Sequence, residues 1–111
     1  MRPDDKIRLQ HILDESQEAL HFVANLTFEA FQEDSKTVHA VIRSIEVIGE
    51  AAAKISPEYK ASQPSIPWEQ IVGMRNHLIH VYFDVDYETV WKTVKNDIPM
   101  LMDMVKRLLS Q

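Results

Sequence analysis

The chain has no cysteine, only two glycines, and no uninterrupted apolar run approaching the length of a membrane span. Without cysteine there is no disulfide, no thiolate metal site and no thiol nucleophile. Any chemistry must therefore come from His, Asp, Glu, Arg, Tyr or Ser. The absence also fits a reducing compartment. The opening MRPDDKIRLQ lacks the apolar stretch of a secretory signal, so the expected location is the cytoplasm, with no membrane partner. Two glycines and five separated prolines leave no flexible linker, no repeat is visible, and a single domain over residues 1–111 is expected. Positive charge is scarce as well: 12 Lys and Arg against 17 Asp and Glu give a net charge of -5. That balance excludes an extended basic face, so any contact with a polynucleotide has to be local. Enough apolar residues remain, 45% of the chain, to bury a modest core.

Helical periodicity dominates what is present. Leu9, Ile12, Leu13, Ala19, Leu20, Val23 and Leu26 fit one stripe, and Asp4 and Asp5 suit a helix start, so a helix is expected from about Asp4 to Leu26. TFEAFQED, residues 27–34, allows one or two further turns, with Ser35 as the N-cap of the next helix. In that helix Val38, Val41, Ile42, Ile45, Ile48, Ala52 and Ile55 share a face, and Pro57 ends it. PEYKASQPSIP, residues 57–67, reads as a connector with a short turn at Glu58 to Ala61. A third helix begins near Trp68, after Pro67. A fourth begins near Asp86 and carries Val90, Trp91, Val94, Ile98, Leu101, Val105 and Leu108, with a kink or break expected at Pro99. No strand pattern is visible. Gly49 and Gly73 both fall inside helices, where each costs about 1 kcal/mol relative to alanine, and close helix crossings are the expected reason. Phe28 with Phe31, and Trp68 with Trp91, are expected in the core or a dimer interface.

Polar chemistry concentrates in RNHLIHVY, Arg75 to Tyr82. On a helix continuing from Trp68, the positions Trp68, Ile71, Val72, Arg75, Ile79 and Tyr82 lie on or near one stripe. Arg75 would then stand on an apolar face and need an anionic partner or the edge of a cleft. Asn76 and His80, four apart, share another face, so Asn76 could orient the His80 ring. Three readings of these residues remain open. Arg75 could pair internally with Glu46 or Glu50 while His80 caps a helix C-terminus. His77, His80 and Asp84 could bind a metal, although their spacing is weak for that purpose. Or His80 could serve as general acid or base while Arg75 steadies a phosphate, the two tasks needed to cleave RNA through its 2'-hydroxyl. His11, His21 and His39 have no partner at ligand spacing and are read as solvent-side or structural.

MRNHLIHVY resembles the signature of the HEPN superfamily, an arginine and polar residue followed after three positions by histidine, extended by the histidine, any residue, tyrosine ending of its HepT branch. RLQHILDE, LTFEAFQEDSKTVHAVIRSIEVIGEAA, SPEY and IPWEQIVGMRNHLIHVYFDVDYETVWKTVKNDIP resemble HepT-like proteins in the same order, covering nearly the whole chain. The resemblance implies an all-α, up-and-down bundle of four to five helices, homodimeric, with the motifs of both subunits meeting in one cleft. It implies the toxin of a type VII HEPN/minimal-nucleotidyltransferase toxin-antitoxin system: an endoribonuclease with no metal or other cofactor, acting on RNA, whether tRNA or mRNA. By resemblance, Arg75 and His80 would be catalytic and Asn76 supporting. Tyr82 would be the regulatory tyrosine to which the antitoxin attaches AMP. The alternative is a non-catalytic HEPN subunit that docks a nucleotidyltransferase and helps bind its nucleotide or substrate. One geometric constraint accompanies these roles. Five residues separate Arg75 from His80, about 140° around a continuous helix. Either the helix distorts, or the cleft combines groups from two chains.

Overall fold

A computed structural model describes residues 1–79 and 84–111, and all of its regular elements are helical. They are α1 (Pro3–Val23), α2 (Phe28–Glu33), α3 (Ser35–Ala53), α4 (Pro57–Ser62), α5 (Trp68–Gly73), α6 (Tyr87–Lys92) and α7 (Ile98–Leu109). A 3-10 turn at Met74–His77 extends α5, and a π turn at Thr93–Asp97 joins α6 to α7. Among the described residues no helix is long and apolar enough to cross a membrane.

The core forms where three long rods meet. α1 packs along α3 and α7, while α3 also carries α2, α5 and part of α6. On α1 the buried positions Leu9, Ile12, Ser16, Ala19 and Val23 alternate spacings of three and four, the pattern of a helix that faces two neighbours along one seam. Ser16 has no place in an apolar stripe. Its hydroxyl donates to the Ile12 carbonyl at 2.7 Å, which satisfies it inside the core. Opposite lie Val38, Val41, Ile42, Ile45, Ile48 and Ala52 of α3. Each fully buried side chain of this size contributes about 1.5–3 kcal/mol.

Local chemistry sets the boundaries. α1 stops at Val23, short of the expected Leu26, because Asn25 turns into the left-handed region at φ 65°, which asparagine tolerates better than most residues. The Thr27 side chain accepts from the Ala30 amide and starts α2. Asp34 caps α3 by accepting from the Thr37 amide, so the expected cap Ser35 is instead its first helical residue. The Asp86 carboxylate likewise accepts from the Thr89 amide to open α6. Pro99 does not break the last rod. Its ring excludes the ordinary carbonyl arrangement one turn upstream, and the π turn before it widens the helix there while the backbone stays helical. Thr93, bonded to the Thr89 carbonyl at 2.7 Å, sits at the start of that bulge.

The aromatic pairs sort differently from expectation. Trp91 packs against Phe31, with ring centroids 5.1 Å apart, and against Phe28 at 6.0 Å. Trp68 meets Tyr59 instead, and its indole N–H donates to the Gln63 carbonyl. Both clusters are internal packing of one chain.

Two contacts fix how the helices meet. A side chain at Gly49 would place its Cβ 3.0 Å from the backbone oxygen of Val72, so α3 and α5 can approach only because position 49 has none. This is the close crossing expected there. At Gly73 the nearest neighbour to such a Cβ is the Asn76 amide nitrogen at 3.4 Å, with no helix crossing. The second contact is a clasp between α1 and the start of α4. Buried Asp5 accepts from the Ser56 amide at 2.8 Å and from the Ser56 hydroxyl at 2.7 Å. Burial pushes the Asp5 carboxyl up, but the two Ser56 bonds, helped by Arg2 and the N-terminal amine, hold it below its ordinary value of 3.8.

Two predictions follow from these contacts. Gly49→Ala gains helix propensity but drives a methyl into backbone that cannot rotate away, so it should lower stability by on the order of 1 kcal/mol in denaturant melts. Because the folded-state pKa of Asp5 is depressed, its stabilisation is present above the unfolded value and lost as pH falls through the folded one. The stability difference between wild type and Asp5→Asn should accordingly stay constant from neutral pH down to about 4 and shrink below that.

Candidate nucleic-acid interface

The motif does not lie on one continuous α-helix. From Met74, whose amide donates to the Ile71 carbonyl, the chain tightens into a 3-10 turn, and the Leu78 amide closes it on the Arg75 carbonyl at 3.2 Å. Three residues per turn replace 3.6, so side chains three apart eclipse. The consequence is a change of face. Leu78 goes fully into the core and Ile79 is exposed, the reverse of the stripe expected on a continuous helix. The departure from α-helical geometry observed here lies at Met74–His77. His80 and Tyr82 lie outside the described residues, and with them the histidine-capping role, the pairing of Asn76 with His80 and the three-residue metal set.

The ends of the segment that contains them are held together. The Asp86 amide donates to the Leu78 carbonyl at 2.8 Å, and Ile79 and Val85 pair as an isolated antiparallel bridge. Asp86 therefore works twice, bonding back to Leu78 through its amide and capping α6 through its side chain.

Arg75 is not on the apolar face. Its side chain is 60% exposed, and its guanidinium lies 3.9 Å from the Glu46 carboxylate on α3, itself 36% exposed. The expected partner is thus present, in a surface pair and not a buried one. Such a pair contributes between about 0 and 1 kcal/mol. Asn76 and His77 sit on other sides of the same turn, both exposed. They line one wall of an open cleft of about 570 Å³, whose far wall carries Thr89, Thr93 and Asp97. The turn therefore gathers Asn76 and His77 at this cleft while Arg75 reaches toward α3. The far wall was absent from the sequence reading. Its signal was there, three polar residues spaced four apart on a helix that otherwise looks like core. Among the described residues no three His, Cys, Asp or Glu side chains stand close enough to hold a metal ion. His11, His21 and His39 are exposed, and the His39 ring meets the Ser35 carbonyl at 2.7 Å, consistent with structural or solvent-side roles.

A cationic turn with an amide and an imidazole beside an open cleft can hold a phosphate and polar groups of a nucleotide chain. Comparison with known proteins agrees with that chemistry. Residues 12–108 match the family described as Ribonuclease HepT-like. A Thermococcus cleftensis protein named "Probable ribonuclease HepT" is 42% identical over 108 residues, covering 97% of this chain and 98% of its own. A Caldanaerobacter subterraneus protein, provisionally named an RNase, is 39% identical over 103 residues, covering 93% of this chain and 92% of its own. A similarly named protein of Methanocaldococcus jannaschii is 37% identical over 103 residues, covering 93% and 94%. No solved structure matches the chain. With the family matched across nearly the whole bundle, the Arg75 turn included, the chain belongs to the ribonuclease HepT-like family of the HEPN superfamily.

Proposed function

We propose that this protein is a metal-independent endoribonuclease and the toxin of a two-component system whose antitoxin is a minimal nucleotidyltransferase. The observation that carries this reading is Arg75: a guanidinium presented on a short exposed turn and, among the described residues, paired only with a surface carboxylate, at the start of the motif that the family match includes. In the proposed reaction a base removes the proton of an RNA 2'-hydroxyl, whose oxygen attacks the adjacent phosphorus. The bond from phosphorus to the 5'-oxygen breaks, and an acid returns a proton to that leaving oxygen. Arg75 binds the non-bridging oxygens and stabilises the charge that grows on them. His80 supplies the acid or base near neutral pH. One imidazole cannot hold both roles at once, and a homodimer that shares its cleft supplies two. Asn76 supports the site from the same turn.

The acidic chain fits this assignment if recognition is confined to a shared cleft, since two copies of Arg75 bring positive charge together there despite the net charge of -5. Tyr82 is proposed as the switch. AMP attached there by the partner adds bulk and negative charge beside the phosphate site, opposing RNA by exclusion and repulsion.

Purified unmodified protein should cleave total RNA in EDTA, whereas His80→Ala purified identically should not. Arg75→Lys should lose at least about tenfold in rate, because a point charge does not reproduce the forked contact of guanidinium with phosphate. Equal cleavage by wild type and His80→Ala would remove His80 from the chemistry. Absence of cleavage by unmodified wild type would instead favour a subunit that docks a nucleotidyltransferase without cutting RNA. Tyr82→Phe should keep the nuclease and escape neutralisation when both genes are expressed together. Neutralisation as complete as that of wild type would remove Tyr82 from the switch.

A further inference from the structure

We propose that Glu46 is the resident counter-ion of the phosphate site, holding Arg75 in place in the absence of RNA and competing with RNA phosphate for it. The inference rests on the reading of Arg75 as the phosphate-binding residue and adds a residue of α3 to that site.

Two independent observations carry it. The first is the contact itself. Arg75 Nη1 lies 3.9 Å from Glu46 Oε2 with both side chains substantially exposed, and among the described residues this is the only ion pair that either one makes. At that distance the groups attract without a tight hydrogen bond, and water reaches both. The pair is therefore exchangeable: an arriving phosphate replaces the carboxylate with little loss of stability. The second is the placement. Glu46 stands one helical turn before Gly49 on α3, and Arg75 follows Val72 by three residues. Gly49 and Val72 form the close crossing that an added Cβ would obstruct. The same crossing sets the distance between the two charged groups, so their approach follows from backbone packing as well as from two flexible side chains.

The carboxylate then has two opposing effects. It keeps a long cationic side chain near one position, which lowers the cost of ordering it on binding. It also places a negative charge 3.9 Å from the guanidinium that an RNA phosphate must reach, which weakens the encounter. Because the pair is exposed, the first effect is small, and repulsion dominates. Glu46 thus limits RNA affinity and makes the site selective for phosphates that can displace a carboxylate.

The test is a cycle of Glu46→Gln and Arg75→Ala, singly and together. The readout is binding of a single-stranded 2'-O-methyl oligonucleotide, which lacks the attacking hydroxyl, followed by fluorescence anisotropy across a salt series. Thermal melts of all four proteins accompany it. Glu46→Gln should tighten binding about two- to fivefold at low salt, with the gain fading as salt screens the original repulsion. The gain should vanish in the Arg75→Ala background, and the melting temperature should change little. Unchanged or weaker binding by Glu46→Gln, while wild type still binds, overturns the counter-ion role and leaves the phosphate role of Arg75 standing. An equal gain with Arg75→Ala also overturns it, because the effect would then be the general removal of a negative charge. Failure of all four folded proteins to bind the oligonucleotide overturns both this inference and the proposed function.

Discussion

The approach of α3 to α5 at Gly49 is the constraint on which the site depends. A Cβ there would stand 3.0 Å from the Val72 oxygen, and Val72 lies one residue before the end of α5. Everything that follows, the tightening at Met74, the burial of Leu78 and the presentation of Arg75, hangs from a helix end held against α3 at this point. The price of a glycine inside a helix is about 1 kcal/mol, and it is offset by packing that no other residue would permit. The Asp86 amide, bonded to the Leu78 carbonyl, sets the start of α6 beside the turn at Met74–His77. The described part of the polar motif is therefore held by backbone contacts before Arg75 and at Leu78, while Arg75, Asn76 and His77 stay at the surface.

Much of this was legible in the residues, and the exceptions have physical causes. Long periodic stripes on α1, α3 and α7 bury most of the residues that their spacing marks, with Leu13, Leu20 and Leu26 only partly covered, because burial of whole apolar faces outweighs local preferences. Short elements survive where a cap or proline marks them, as at Thr27, Pro57 and Asp86. The misreadings arise where helical geometry departs from 3.6 residues per turn. A 3-10 turn moved Leu78 into the core and Ile79 and Arg75 out of it, and a π turn absorbed Pro99 that would otherwise have broken the rod. Neither departure has a strong signature in residue order, since each results from tertiary contacts acting on a helix end or bulge. Glu46 was named from the sequence as a possible partner of Arg75, but its exposed setting became visible only when the crossing at Gly49 fixed the two elements.

Electrostatics and function are reconciled by locality. A chain of net charge -5 repels a polyanion at long range, and ordinary salt screens that repulsion over about 8–10 Å. Within that distance the nearby groups decide. Arg75 faces a single weakly engaged carboxylate, and the neighbouring cleft is lined by amide, hydroxyl and imidazole groups together with the Glu69 and Asp97 carboxylates, with no basic belt. On the proposed reading, such a surface would meet one phosphate and its neighbours rather than a long duplex.

The central claim is that the Arg75 guanidinium is the group that meets RNA phosphate. It is tested most directly by following the arginine Nε–H resonances of the isotope-labelled protein while an uncleavable 2'-O-methyl oligonucleotide is added. The Arg75 resonance should shift and slow its exchange with water at the lowest additions, while those of Arg2, Arg8, Arg43 and Arg107 move little. Saturable binding that perturbs the other arginines and leaves Arg75 unchanged would contradict it.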